Sequence, residues 1–166
     1  MNVDNFRIRN ATLSDIDTLA NVEAQCFPVK EAATRESIAE RVKFYPEGFW
    51  LLFDGEKLIS FVDGLVTDNP NLEDIMYEQA AMHQPNGAWQ MIFGVNTIPD
   101  YRKKGCAAKL INAVIENARK NKRKGVVLTC KEKLLHYYSQ FGFVNEGISD
   151  STHGDVLWYQ MRLTFK

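Results

Sequence analysis

Residues Tyr101, Arg102, Lys103, Lys104, Gly105, Cys106, Ala107 and Ala108 place three consecutive cations before a glycine and a run of small side chains. They stand between a long apolar run and the start of a helical period. A helix start leaves four backbone N–H groups without partners and carries partial positive charge, so anions bind there. Gly105 removes a side chain where a ligand would approach the backbone. Ala107 and Ala108 keep the first turn low. Together these features describe a cradle for a phosphate or pyrophosphate. Cations at a helix start oppose its dipole, and such a conflict between local preference and position points to function. The competing reading is a solvated basic turn whose glycine serves entry geometry. Neither GxxxxGK[ST] nor GxGxxG is present, so this is not a Walker loop or a dinucleotide fingerprint.

The elements that would hold this turn follow from periodicity. Upstream, Trp89 to Ile98 is a mostly apolar run, as expected of a central strand covered on both faces. Gly94 within it fits either a bulge or a glycine tolerated by packing. Downstream, Ala107, Leu110, Ile111, Val114, Ile115 and Ala118 fall on one helical face, with Lys109, Asn112, Glu116, Arg119 and Lys120 opposite. Val126 to Cys130 is a second apolar strand, so strand, helix and strand suggest a parallel βαβ unit. Lys133 to Phe141 reads as a helix stopped by Gly142. Phe143-Val144 and Asp155 to Leu163 complete the sheet.

The first half is a strand at Phe6 to Arg9, then a capping box at Ser14 to Asp17 opening a helix that ends at Phe27-Pro28. A second helix covers Thr34 to Lys43. Phe49 to Phe53 and Lys57 to Val62 flank Asp54-Gly55, a hairpin signal. Asp68 to Asn71 reads as loop, and Leu72 to Met82 as a short helix.

Arg102, Gly105 and Ala107 resemble the R/Q-x-x-G-x-G/A signature of the GCN5-related N-acetyltransferase (GNAT) superfamily, in its expected place after an apolar strand. Leu128 to Phe143, with Tyr137, Tyr138, Phe141, Gly142 and Phe143, resembles the superfamily's later strand and helix ending in F/Y-Y-x-x-F-G-F. Phe27-Pro28, Glu31 to Thr34 and Glu146 to Ser149 are most similar to the serotonin (arylalkylamine) N-acetyltransferase branch. The resemblance implies a mixed α/β (α+β) fold: a central, mostly antiparallel twisted sheet, a parallel βαβ unit at the cofactor site, and flanking helices. It implies acetyl-CoA as co-substrate, its pyrophosphate on Arg102, Lys103, Lys104, Gly105, Cys106, Ala107 and Ala108. It implies pantetheine along Val95, Asn96 and Thr97. Tyr138 matches the tyrosine that protonates the departing thiolate; a phenol with an ordinary pKa near ~10 keeps its proton for that step. Taken without the resemblance, Tyr138 reads as a packing tyrosine. The implied reaction is direct attack by an amine in a ternary complex, with a small-molecule amine as acceptor.

The sequence departs from that branch at the base. Met91 and Phe93 stand where the relatives carry two histidines, and neither accepts a proton. Water or a carboxylate elsewhere is left; Asp63 is one candidate, and Asp74, Glu78 and His83 lie in the weakly patterned segment. His153 is a loop histidine or a substrate contact. His136 reads as surface and Tyr137 as packing. Cys106 lies in the first helical turn, where a thiol pKa tends to fall, yet reads as a small packing residue. Cys26 and Cys130 read as core. The alternatives to a small-molecule acetyltransferase are a non-catalytic acyl-CoA sensor and a peptide acetyltransferase.

The 166 residues carry 20 basic and 21 acidic side chains, a formal charge of −1, which argues against bulk electrostatic binding of nucleic acid. The basic run Arg119, Lys120, Lys122, Arg123 and Lys124 ends a helix, where cations suit the dipole. No apolar stretch approaches the ~20 residues of a membrane span. The start lacks the basic and apolar pattern of a secretory signal. Three scattered cysteines form no metal-ligand pattern and fit a reducing cytoplasm. One domain over 1–166 is expected, and a homodimer accords with the superfamily, in which dimers are frequent.

Overall fold

The computed structural model describes residues 2–166; Met1, the first residue of the expected domain span, lies outside them. The chain forms two compact units. The first takes residues up to Gly64 together with Gly94–Val114; the second takes Leu65–Phe93 and Ile115–Lys166.

In the first unit, β1 (Arg7–Arg9), β2 (Phe49–Asp54), β3 (Lys57–Asp63) and β6 (Gly94–Thr97) form an antiparallel sheet in that order. The helices α1 (Ile16–Cys26) and α2 (Arg35–Phe44) belong to it. Thr34 caps α2 by accepting from the Ser37 N–H at 3.1 Å. The entry to α1 differs from expectation. Thr12, not Ser14, opens the turn, and Asp15 accepts from the Thr12 N–H at 2.8 Å while binding Arg9 at 2.7 Å. Asp15 is the better acceptor because its charge meets both a free N–H and a guanidinium. The hairpin has the expected strands, but its two turn residues are Gly55 and Glu56, since Asp54 still pairs with Lys57. Gly55 takes φ +61°, the left-handed value glycine tolerates. Leu19, Val22, Ile38, Val42, Tyr45, Phe49, Leu51 and Phe61 are buried, with Phe49 stacked between Tyr45 and Phe61.

The second unit's sheet has the order β4 (Val66–Thr67), β5 (Trp89–Ile92), β7 (Gly125–Cys130), β9 (Tyr159–Thr164), β8 (Val144–Ile148). Only β5 and β7 pair in parallel. The helix α4 (Cys106–Lys120) separates them in the chain, as a βαβ unit requires. It ends without glycine: Lys122 takes φ +58°, and the Arg123 N–H reaches Ala118 O at 3.0 Å. Gly125 is needed for packing instead. A Cβ there would stand 2.0 Å from Leu163 O.

Four expectations are corrected. The run Trp89–Ile98 is two strands broken at Phe93, each with its own pairing partners, rather than one continuous central strand. Apolar continuity reports burial and not which neighbour a strand pairs with. The helix expected over Leu72–Met82 is α3 (Ile75–Glu78) plus a 3-10 turn at Ala80–Met82, because Gln79 leaves helical geometry at φ −122°, ψ 83°. The one expected over Lys133–Phe141 is a 3-10 turn at Glu132–Leu134 running into α5 (Leu135–Ser139). The last strand starts at Tyr159; Asp155 is held at φ +56° in the turn before it.

Candidate functional site

The turn between β6 and α4 is built as the sequence indicates, and Gly105 is its pivot. Lys103 and Gly105 both take positive φ, +61° and +87°. Those left-handed residues reverse the chain so that α4 begins at Cys106. Among the described residues, a Cβ built on Gly105 would meet only Val3 Cγ2, at 3.8 Å, so the space above this backbone is open. Lys103, Lys104 and Gly105 are exposed, while Ala107 and Ala108 are half-buried. Successive N–H groups at the start of a 15-residue helix, with cations beside them, can hold an anion.

Arg102 and Cys106 act differently from their neighbours. The Arg102 Nε donates to Thr97 O at 2.9 Å, tying the turn to the end of β6. Cys106 is buried, and burial pushes its thiol pKa up against the pull of Lys104 and Lys109. The lowering expected from the helix start does not prevail, and the packing role does. Lys109 is turned away to the 3-10 turn at Val3–Asn5, donating to Val3 O at 2.9 Å.

β6 lies at the edge of its sheet, paired with β3 on one side through Ser60↔Thr97, Phe61↔Asn96, Val62↔Val95 and Asp63↔Gly94. Among the described residues no strand pairs with its other edge. Val95 and Thr97 are half-exposed; Asn96 points into the unit and is fully buried.

Beneath β6 lies a cluster that the sequence did not disclose. Asp63 from β3 binds Arg41 from α2 at 3.0 Å, and both are buried. Glu23 from α1 is 6% exposed. Its Oε2 accepts from the Ala33 N–H at 2.9 Å, fastening the loop between α1 and α2. Burial, then the charge of Asp63, raises the Glu23 pKa to about 7, with the Ala33 N–H, Arg41 and the Asn96 amide opposing. Burial also pushes the Asp63 carboxyl up, opposed by Arg41. Asp63 was a candidate at the sequence level; Glu23 and Arg41 were not. Charged residues at helix positions that face the core are the only signal that could have found them.

In the second unit, Tyr138 on α5 is buried, edge-on to Tyr137 at 5.2 Å and Phe143 at 6.1 Å. Burial drives its pKa upward, so the phenol stays protonated. Tyr137 is the more exposed of the two. Met91 is buried, and Phe93 packs on Tyr77 at 4.5 Å. Asp74 and His83 are occupied in holding loops: Asp74 accepts from the Thr152 N–H, and His83 Nδ1 from the Val66 N–H. His153 stacks on Tyr77 at 5.5 Å, and His136 is exposed as expected. Arg123 in the basic run donates to Gly87 O and Pro85 O, a structural fastening. Cys130 is core beside Met161, whereas Cys26 is half-buried and meets Thr97 O at 3.4 Å. Among the described residues no group of three or more His, Cys, Asp or Glu side chains is placed to hold a metal. No described helix is long and apolar enough to cross a membrane.

Comparison with known proteins bears on the same elements. YkwB of Bacillus subtilis (strain 168), named an uncharacterized N-acetyltransferase, is 28% identical over 120 residues, 66% of this chain and 53% of that protein. YhcX of the same organism, named a probable hydrolase, is 26% identical over 166 residues, 96% of this chain and 32% of that protein. The chain thus spans about half of the first relative and a third of the second. The GphF GNAT-like decarboxylase, solved in complex with isobutyryl-CoA, superposes with TM-score 0.81 at 22% identity. That match covers 96% of this chain and all of the other, and shows a shared fold. The model of the acetyltransferase (GNAT) family matches residues 16–143, which take in α1, β6, the turn at Gly105, α4 and Tyr138, and the chain belongs to that family.

Proposed function

We propose that this protein is an N-acetyltransferase that moves the acetyl group of acetyl-CoA to a primary amine of a small molecule by direct attack in a ternary complex. The residues from 1 to 166 act as one such domain. The observation that carries the reading is the turn at Gly105: an open backbone cradle at the start of α4, flanked by Lys103 and Lys104 and tied by Arg102 to an edge strand. The N–H groups of the Lys104 to Ala108 segment, at the start of the helix, suit a pyrophosphate. The unpaired backbone edge of β6 at Val95, Asn96 and Thr97, with Val95 and Thr97 half-exposed, suits the amide groups of a pantetheine arm, which pair with backbone as a strand would. The complex of GphF with isobutyryl-CoA supports an acyl-CoA donor. Tyr138, kept protonated by burial, serves as proton donor to the thiolate, a role taken from the resemblance.

Calorimetric titration with acetyl-CoA tests the cradle, and CoA release over a panel of amines tests the transfer. Binding followed by turnover that falls sharply in Tyr138→Phe is the expected result. The second reading, a sensor that binds acyl-CoA without turnover, draws on Met91 and Phe93 in place of proton-accepting side chains. Tight binding with no turnover on amines or peptides would establish it.

A further inference from the structure

Residues 27–34 join α1 to α2, and none of them is buried. The helices on either side are pinned to the first unit, α1 by Leu19 and Val22 and α2 by Ile38 and Val42. The segment between them adds surface and no core; Val29 is 95% exposed. Its internal backbone bonds are local, with the Glu31 and Ala32 N–H groups both donating to Pro28 O at 2.9 Å. Ala33 is tied to the body through a buried carboxylate, its N–H donating to Glu23 Oε2 at 2.9 Å. A segment with so few buried contacts opens at a small fraction of the cost of global unfolding. Opening here breaks the Ala33 bond and brings Glu23 to water.

Glu23 and Asp63 share one guanidinium. Arg41 Nη1 meets Asp63 Oδ2 at 3.0 Å, so Asp63 takes the counter-charge. An ionised Glu23 then stands beside a like charge where water is excluded.

We propose that residues 27–34 form a proton-linked strap, closed over a protonated Glu23 and released as that carboxyl ionises. The device holds whether or not the chain transfers an acetyl group. It loosens one face of the first unit as the pH rises to neutral.

The titratable and charged groups facing Glu23 are Asp63 from β3, Arg41 from α2 and Cys26 on its own helix; β6 presents the uncharged Asn96 amide. Tyr45 faces the Arg41–Asp63 pair, and Arg102 faces Cys26. The strap itself carries Lys30, exposed, and Glu31, half-buried. Burial, then the Asp63 charge, raises the Glu23 pKa from about 4.5 to about 7, against the pull of the Ala33 N–H, Arg41 and Asn96. The closed strap therefore binds more protons than the open one between those values. Its opening becomes more favourable as pH rises through the window and levels off above 7.

Hydrogen exchange of the full chain, followed residue by residue between pH 5 and 8 under EX2 conditions, tests the strap. The readout is the protection factor of the Ala33 amide, from which the intrinsic pH dependence of exchange is removed. In wild type it should fall by roughly fifty- to a hundredfold over that range, while staying below the protection of the β3 amides at every pH. Glu23→Gln keeps the side-chain volume and an acceptor for Ala33 but does not titrate, so the fall should vanish. Asp63→Asn removes the like charge and should move the fall to lower pH. A wild type with no fall, or a Glu23→Gln protein with the same fall, overturns the proposal. So does an Ala33 amide as protected as those of β3, because the segment then opens only with the whole unit.

Discussion

The turn at Arg102–Ala108 and the cluster of Glu23, Arg41 and Asp63 both concentrate charge in the first unit, yet they are built in opposite ways. The turn is one contiguous stretch, exposed, and its chemistry is that of backbone N–H groups shaped by two left-handed residues. The cluster draws one side chain from each of α1, α2 and β3, and its chemistry comes from exclusion of water. An anion on the turn loses little solvation and is held by several weak donors. A charge in the cluster is in a medium where each partner matters more. Substitutions in the cluster should therefore act first on folding, and those in the turn on ligand affinity.

The largest expected effect is that of Arg41→Met, which strips the buried carboxylates of their cation. Breaking a buried ion pair on one side costs about 3–5 kcal/mol. Denaturant unfolding at neutral pH should show a loss of that size. The double variant Arg41→Met/Asp63→Asn should recover much of it, since the orphaned charge is then gone. A loss below about 1 kcal/mol would mean that the pair behaves as a solvated one and that the contrast with the turn is false.

Gly105→Glu should act the other way, on binding rather than folding. It places a carboxylate where a pyrophosphate belongs, and acetyl-CoA affinity should fall at least about a hundredfold, or about 3 kcal/mol. Gly105→Ala is the control. At φ +87° it carries a backbone strain of about 1 kcal/mol without the charge. If alanine and glutamate weaken acetyl-CoA equally, the turn is an entry geometry and no cradle.

These two regions also explain what the sequence disclosed. The turn was legible because its function needs neighbours in sequence: cations, a glycine at positive φ and small residues beginning an apolar helical period. α4 and the βαβ order were legible for the same reason. The break at Phe93 was not, because β5 and β6 are both apolar and differ only in their pairing partners, β7 and β3. The cluster was not, because Glu23, Arg41 and Asp63 look like ordinary polar positions until three elements close over them. Asp63 alone attracted notice, as a carboxylate at the end of an apolar strand. Nor does a signature show that Arg102 bonds a carbonyl rather than a ligand. That follows from the chain reversal, which brings its Nε to Thr97 O.

A pH titration of stability separates Glu23 from its neighbours. Its pKa is raised from about 4.5 in the unfolded chain to about 7 when folded. The folded protein then binds more protons than the unfolded one between those values. The stability that Glu23 contributes is greatest below pH 4.5, falls as pH rises through the window, and levels off above 7. Over the whole window the fall is at most about 3.5 kcal/mol. Glu23→Gln should remove this component and be more stable than wild type at pH 8 by some part of that amount. An unchanged pH slope would place the Glu23 pKa in the ordinary carboxylate range and remove it from the coupled cluster.

The smallest effect expected is at Arg102, and it tests whether one exposed cation belongs to the cradle or to its frame. The 2.9 Å bond from Nε to Thr97 O makes it a tie between strand and turn. Arg102→Gln keeps an N–H donor and loses the charge; Arg102→Ala loses both. If Arg102 only frames the turn, glutamine should leave acetyl-CoA affinity within about twofold, and alanine should lower it about three- to tenfold, the worth of one hydrogen bond at roughly 1 kcal/mol. The salt dependence of binding should be the same in both variants as in wild type, because no phosphate charge is met by this side chain. Lys103→Gln and Lys104→Gln should instead flatten that dependence. If Arg102→Gln flattens it as much as they do, Arg102 meets the anion directly, and the division between a framing residue and two ligand-facing cations fails.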